Sequence, residues 1–526
     1  MASSLVVATY NRVRLTPRFL AALHLDLFDQ PALGTVFLSI LSGTRCELRV
    51  GYAPALTSGI LDLMRCPGDI LLISCYELGH QPLGIASPVA FLERAGYAPE
   101  AMDISVEDFD DEKASRAKLV GISVPMHTAL RLGVRVAERI REINPGCHIC
   151  FYGLYAVLNA EYLLDHVADS VVGGESEETL VALARDLDLG GKGDVQGVAR
   201  RGRPARAILR RLTFPVPSRA GLPPLKKYAH IERHGSRDLA GYVEASRGCL
   251  HLCLHCPIPP VYEGRFFVVP REIVLEDIRR LARDGATHIT FGDPDFLNGP
   301  GHSLAIVRAV HAEFPALTFD FTAKVEHILE RRALFPELGQ LGCAFMVSAV
   351  ESLSDTVLTN LEKGHTRADI FEAFGIVRDA GIAFRPTWVA FTPWTTLDDY
   401  LDMLEFIAAE GLVDHVDPVQ YAIRLLVPPG SMLLDRPGIQ PYLDSLDQAA
   451  FTYRWIHPDS RMDDLQRAVS AVVEEAARGD EDPAITFERV RALAYTAHGE
   501  RRPARVFAAL PGDRSRPPRL TEPWFC

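Results

Sequence analysis

Short apolar runs alternate with stretches of helical periodicity from residue 69 to about 187. DILLISC (69–75), KLVGISVP (118–125), CHICFYG (147–153) and DSVVGG (169–174) are the apolar runs. Between them, PLGIASPVAFLERAGY (82–97), a stretch ending near 143, AVLNAEYLLDHV (156–167) and ESEETLVALARDL (175–187) repeat at helical spacing. Strands that alternate with helices predict a parallel sheet in an α/β layer fold. A second alternating region follows. Its strand-like runs are YVEAS (242–246), THITFGD (287–293), LTFDFT (317–322), CAFMVSAV (343–350), IAFRPTWVAF (382–391) and PVQYAIRLL (418–426). Six strand–helix units predict a partial (β/α) barrel, whose chemistry belongs at the carboxyl ends of the strands.

The pattern divides the chain into five parts. Residues 1–63 are unassigned and show no clear period. An α/β domain spans 64–188, a linker rich in Gly, Pro and Arg spans 189–240, and the barrel spans 241–430. A helical region follows over 431–526, with DDLQRAVSAVVEEAAR (463–478) its clearest helix and an extended tail at its end. Met64, just before the first strand, is read as a natural start, or else 1–63 forms a small cap. In open parallel sheets ligands bind at the carboxyl ends of the strands. This makes the loops containing Gly79, Gly84, Ser123, His127, Gly153, Tyr155 and Gly174 the candidate cofactor loops. Their glycines either turn the chain or admit a large ligand close to the backbone.

The net charge of −13 argues against a nucleic-acid backbone as partner, because such binding needs a positive surface. No apolar run reaches the ~20 residues of a membrane helix. Ten cysteines, mostly scattered, suit a reducing cytoplasm rather than a disulfide framework. Three of them are clustered in RGCLHLCLHC (247–256), directly after the first barrel strand. Cys249, Cys253 and Cys256 are one ligand short of a zinc site, though His251 or His255 could supply the fourth. A buried thiol cluster would not explain the glycine-led loop. The third reading is an iron–sulfur cluster with one iron left open.

This loop resembles the C-x3-C-x2-C signature of the radical SAM superfamily. THITFGDPDF (287–296) resembles that family's second-strand motif, with Gly292 and Asp293 in place of the commoner Gly-Gly-Glu. FTAKVEHI (321–328) is similar to the third-strand segment, and VSAVESLSDTVLTNLEKGHT (347–366) to the fourth. The resemblance implies a 4Fe-4S cluster on the three cysteines and S-adenosylmethionine on its open iron. Asp293 would pair with the methionyl ammonium. Lys324, Ser348 and Glu351 would hold the ribose and carboxylate. Asp293, Glu351 and Arg424 are the candidate catalytic residues. Arg424 is included because a buried arginine on an apolar strand needs an anionic partner.

The first α/β domain is similar to the cobalamin-binding domain that precedes the barrel in one class of this superfamily. The motif that elsewhere supplies a histidine below the cobalt is absent. ELGHQPLG (77–84) places His80 out of register, so a cobalt without a histidine lower ligand is implied, with His80 and His127 as packing residues. Segments 384–396 and 420–434, with TEP (521–523), resemble the CUAEP/CCAEP-tail radical SAM proteins. Arg519 and Leu520 stand where those tails carry Cys or selenocysteine, and Cys526 is a possible substitute. The resemblance implies methylation of an unactivated carbon or phosphorus in a small molecule or peptide. The alternative is a cobalamin-dependent rearrangement, cyclisation or ring contraction. Flavodoxin or ferredoxin would be the electron donor. The substrate is expected between the domains, near Trp388, Trp394, Tyr421 and Arg424. Methylthiotransfer would need a further cysteine triad, which Cys66, Cys75, Cys147 and Cys150 do not resemble.

Overall fold

The first apolar runs form strands because they are buried on both faces, as parallel strands under helices must be. In the computed structural model, which describes residues 64–191, 193–233, 235–499 and 514–522, they build one sheet. Its strands are β1 (Ile70–Ser74), β2 (Glu100–Asp103), β3 (Leu119–Ser123), β4 (His148–Tyr152), β5 (Ser170–Val172) and β6 (Val198–Ala199). The order is β2-β1-β3-β4-β5-β6, parallel except for β6. β2 and β6 were not foreseen. Both are short edge strands, too brief for periodicity to show. The readings of 1–63 and of Cys526 lie outside the described residues.

The second sheet begins earlier than its pattern indicated. β7 (His230–Arg233) and β8 (Ser236–Val243) form a hairpin inside the segment read as linker. β9 (Ser246–Gly248) and β10 (Phe266–Val268) make a separate antiparallel ribbon around the cysteine loop. β11 (His288–Phe291), β12 (Thr318–Thr322), β13 (Cys343–Glu351) and β14 (Ala383–Trp388) then extend the sheet in parallel from β8. The expected sixth barrel strand is a correction. Pro418–Ala422 is a 3-10 helix, and only a single bridge, Phe391 to Arg424, continues the sheet. Pro418 lacks the N–H a strand requires, and Tyr421 turns inward to be fully buried against Phe487. The barrel therefore has five parallel strands among the described residues.

The C-terminal region contains helices Ser460–Arg478 and Pro483–His498, as expected, and an unforeseen hairpin of β15 (Leu443–Asp447) and β16 (Thr452–Trp455). The tail is not merely extended. β17 (Arg519–Leu520) pairs antiparallel with β7, closing an edge that would otherwise be exposed. Leu520 joins Ile231, Ala240, Phe345 and Val347 in a small apolar cluster.

The linker was expected to be solvated, but it staples the two domains together. Arg219 is buried and donates to both carboxylate oxygens of Asp277, to Gln81 and to the Tyr242 carbonyl. The main apolar core runs without a break from Leu72, Leu83 and Phe91 of the first domain to Val243, Phe291 and Phe319 of the barrel. No helix among the described residues is long and apolar enough to cross a membrane.

Glu522 follows β17 and is buried where tail, barrel edge and first domain meet. It accepts a hydrogen bond from the Tyr76 hydroxyl, and a side chain on Gly79 would come within 2.6 Å of its Cγ. Burial pushes its carboxyl up to about 8. The folded protein therefore keeps a proton here that the unfolded chain releases at lower pH. Stability is full below the ordinary carboxylate range and falls as pH rises toward 8, by about 1.4 kcal/mol per pH unit. Glu522→Gln should match wild type near pH 4.5 and gain melting temperature over it steadily to pH 8. Parallel thermal curves at all pH values would refute this.

Candidate active site

The cysteine loop is fixed from both sides. Gly248 adopts φ +75°, and a Cβ there would strike the Arg265 carbonyl at 2.4 Å, so only glycine turns the chain here. Leu254 donates its amide to the Leu361 carbonyl, tying the loop to the segment after β13. Cys253 is buried; Cys249 and Cys256 are partly exposed. Burial raises the Cys249 thiol to about 11, so a metal bound there must displace its proton. The loop gathers three cysteines within eight residues, one ligand short of the four that a structural zinc site takes.

Three acidic residues at the strand ends brace this loop. Both oxygens of Asp293 are engaged by the chain just ahead of the cysteines: Ser246 Oγ donates at 2.5 Å and Ala245 N at 2.8 Å. Burial pushes Asp293 up, against those bonds, to about 7. A side chain on Gly292 would meet the Tyr242 hydroxyl at 2.1 Å. Asp295 accepts from Leu297 N, Lys324 N and His327 Nδ1. Its ligand atom and those of His251 and His327 all lie within 4.8 Å of one another, and Lys324 Nζ stands 3.3 Å from His251. Lys324 Nζ also pairs with Glu326.

Glu351 occupies the left-handed region at φ +66°, where the register between β13 and β14 shifts. Such strain is tolerated only where the surroundings over-determine the backbone. Its carboxylate lies 3.4 Å from Lys363 Nζ and 3.4 Å from His255 Nε2. Burial alone would raise its pKa, but Lys363 and His255 more than offset this and hold it at about 2. The buried Lys363 ammonium also acts electrostatically on Cys253 and Cys256. Lys363 lies within the 347–366 motif, whose resemblance implies no role for it. Twelve residues separate it from Glu351, and no local pattern signals the pair.

Other expectations need correction. Ser348 is fully buried, and strand alternation places it with Met346 and Val350 on the helix-packed face of β13. Arg424 is not aimed at a site. It bonds Asp463 and the Trp455 carbonyl and stacks on the Trp455 ring at 3.4 Å, so its anionic partner is structural. Trp388 packs on Phe406 of helix Leu397–Ala409, and Trp394 donates to the Gly438 carbonyl. Neither they, nor Tyr421, nor Arg424 line a cavity of about 1260 Å³ near the tail. That space lies among Lys226, Arg237, Asp417, Asp482, Arg516 and Glu522.

In the first domain the candidate loops gather at the carboxyl edge of the sheet, but protein atoms explain several of their glycines. Glu77 accepts from Leu83 N and Gly84 N, capping helix Leu83–Arg94, whose own N-cap is a proline. Gly84 lies close under Ser123 Oγ, and Gly174 (φ +70°) under the Ile208 carbonyl of the linker. Gly153 (φ +108°) lies against the Val124 carbonyl. His80 stacks on Tyr242 at 4.5 Å, and burial lowers its pKa to about 3. His127 bonds the Ala450 carbonyl and meets Tyr155 edge-on. Both histidines pack against other parts of the fold. At the start of helix Glu177–Asp188 the buried Glu177 Oε2 has no hydrogen-bond partner, an acceptor of the kind a corrinoid side-chain amide would use. Glu175 Oε2 accepts no hydrogen bond either but faces Arg247 Nη1 at 3.6 Å.

Comparison with known proteins agrees with this layout. The radical SAM superfamily model matches residues 243–407, and the B12 binding domain model matches residues 70–184. A hopanoid C-3 methylase of Methylococcus capsulatus is 26% identical over 325 residues, 60% of this chain and 62% of the methylase. The uS12 methylthiotransferase RimO of Chlorobium luteolum is 23% identical over 265 residues, 47% of this chain and 54% of RimO. The chain thus spans less than two thirds of the length of these curated relatives. Among solved structures, the cobalamin-dependent S-adenosylmethionine radical enzyme OxsB with aqua-cobalamin bound has a TM-score of 0.62 at 16% identity, covering 83% of this chain and 73% of OxsB. The radical S-adenosylmethionine methyltransferase TsrM from Kitasatospora setae, with cobalamin and a [4Fe-4S] cluster bound, has a TM-score of 0.51 at 18% identity, covering 65% of this chain and 70% of TsrM. These likenesses establish the shared fold. The chain places a B12-binding domain, over residues 70–184, ahead of a radical SAM domain, over residues 243–407.

Proposed function

We propose that the chain is a cobalamin-dependent radical SAM methyltransferase, acting on an unactivated carbon or phosphorus of a small molecule or peptide. The observation that carries this reading is the meeting of the two carboxyl edges. Arg247, two residues before Cys249, is ion-paired at 2.5 Å to Glu177, which opens helix Glu177–Asp188 after β5 of the B12-binding domain. When bound, the cluster supplies the electron that cleaves S-adenosylmethionine to a 5′-deoxyadenosyl radical, and cobalamin supplies the methyl carrier. The chain's own residues hold and orient these groups. Cys249, Cys253 and Cys256 give thiolate ligands. Asp293 fixes the turn before them through Ser246 and Ala245. Glu351, ionised between Lys363 and His255, and Lys324 present charge where the ribose and carboxylate of S-adenosylmethionine would lie. The electron would come from a flavodoxin- or ferredoxin-type donor in the cytoplasm. The acidic net charge disfavours nucleic acid as substrate.

The test uses anaerobic protein reconstituted with iron, sulfide and cobalamin, given methyl-labelled S-adenosylmethionine and a reductant. Formation of 5′-deoxyadenosine, with label recovered in the corrinoid fraction, is the expected result. Deoxyadenosine without any labelled corrinoid would overturn methyl transfer and favour the rearrangement reading.

A further inference from the structure

Arg247 lies in β9, where its backbone pairs with β10 opposite Phe267. Its guanidinium gathers groups from three parts of the chain. Nε donates to Glu244 of the barrel at 2.8 Å, Nη1 to Glu177 at 2.5 Å, and Nη2 to Ser87 of helix Leu83–Arg94 at 3.3 Å. Glu175 approaches Nη1 at 3.6 Å and accepts from the Tyr262 hydroxyl at 2.9 Å. The linker's Phe214 ring lies 5.0 Å from the guanidinium carbon. Ser87 Oγ donates in turn to Glu177. Glu175 and Glu177 side chains are 0% and 2% exposed, and Arg247 15%.

Three carboxylates around one guanidinium are a costly arrangement for stability alone, because each buried charge loses its hydration. What the geometry provides is orientation. A planar fork bonded on several sides fixes the direction of its side chain, and hence of the backbone that carries it, in a way a lysine cannot. That backbone leads through Gly248 directly into Cys249. Carboxylates belonging to the B12-binding domain therefore grip the residue that aims the cluster loop.

We propose that Arg247 is a positioning residue that couples the segment after β5 of the B12-binding domain to the cysteine loop, so that the order of the cluster-bearing segment depends on Glu175 and Glu177. The importance of the coupling for methyl transfer rests on the functional reading above, but the coupling itself can be measured without cofactors. Amide hydrogen exchange of residues 249–256 would be followed in the full-length, cluster-free chain. Glu177→Ala, in the other domain, should speed exchange of this segment at least tenfold while leaving β12 protected. Arg247→Met should do the same, Arg247→Lys should restore protection only in part, and the double variant should add little to either single one. Arg219→Met loosens a different interdomain pair and is the control for general destabilisation; it should spare the segment. Exchange within twofold of wild type in Glu177→Ala, or an equal rise in Arg219→Met, would overturn the proposal. Failure of the protein to bind cobalamin would count against the functional reading alone.

Discussion

Cys253→Ala should purify as a folded protein that fails to retain an iron–sulfur cluster and makes no 5′-deoxyadenosine above background. The loss in deoxyadenosine formation should be at least about 100-fold, since even changes beyond the direct ligands cost 10–100-fold in metal affinity or activity. The sulfur removed is the most buried of the three, in a loop pinned by the Leu254–Leu361 hydrogen bond. Water cannot readily replace it, and the remaining two thiols cannot hold a cluster meant for three. Iron content per chain and deoxyadenosine by chromatography are the measurements. Wild-type amounts of both would show that these cysteines are not the cluster ligands. A fully retained single zinc ion would revive the mononuclear reading.

Lys363→Met should produce the largest loss of stability, about 3–5 kcal/mol at neutral pH, the usual cost of leaving a buried charge without its partner. Lys363 is buried at 3% exposure, and its ammonium is the first counter-charge of Glu351. The sign with pH follows from Glu351. Its folded pKa is depressed to about 2, so its contribution is present above the ordinary carboxylate range and is lost as pH falls toward 2. The variant should therefore lie far below wild type at pH 7 and approach it near pH 3, measured by urea unfolding. A deficit under about 1 kcal/mol at pH 7 would mean that His255 and Glu351 suffice without the lysine. The same variant removes positive charge beside Cys253 and Cys256, so iron retention should fall as well.

The features legible in the chain are those written locally. The parallel strands β1, β3, β4 and β5, and β11 to β14, are buried on most or all positions and therefore read as short apolar runs. The cysteine triplet is legible because its members fall within eight residues, and its place after a strand suggests its meaning. Glu351 and Lys324 stood out through their motifs, and both lie at strand ends. The glycines of the candidate loops were also visible, but their reasons were not. Gly79 meets Glu522, more than four hundred residues away, and Gly174 meets the linker at Ile208.

The expectations that failed did so for physical reasons. PVQYAIRLL has the composition of a strand, yet Pro418 and the inward turn of Tyr421 give a 3-10 helix. Arg424 looked like an unpaired buried cation because its partners, Asp463 and Trp455, lie in a region whose packing the barrel's pattern does not encode. The linker looked solvated because Arg and Pro usually are, whereas Arg219 is taken up by Asp277 between the domains.

By itself the sequence determined two α/β units, their order, and a thiol triplet at the end of a barrel strand, since periodicity and spacing are properties of neighbouring residues. Only the tertiary structure decided which polar and charged groups meet. Arg247 with Glu175 and Glu177, Glu351 with Lys363, and Glu522 with Tyr76 are pairings across the fold. Their energies depend on distance and on the exclusion of water, neither of which is set until the chain has closed around them.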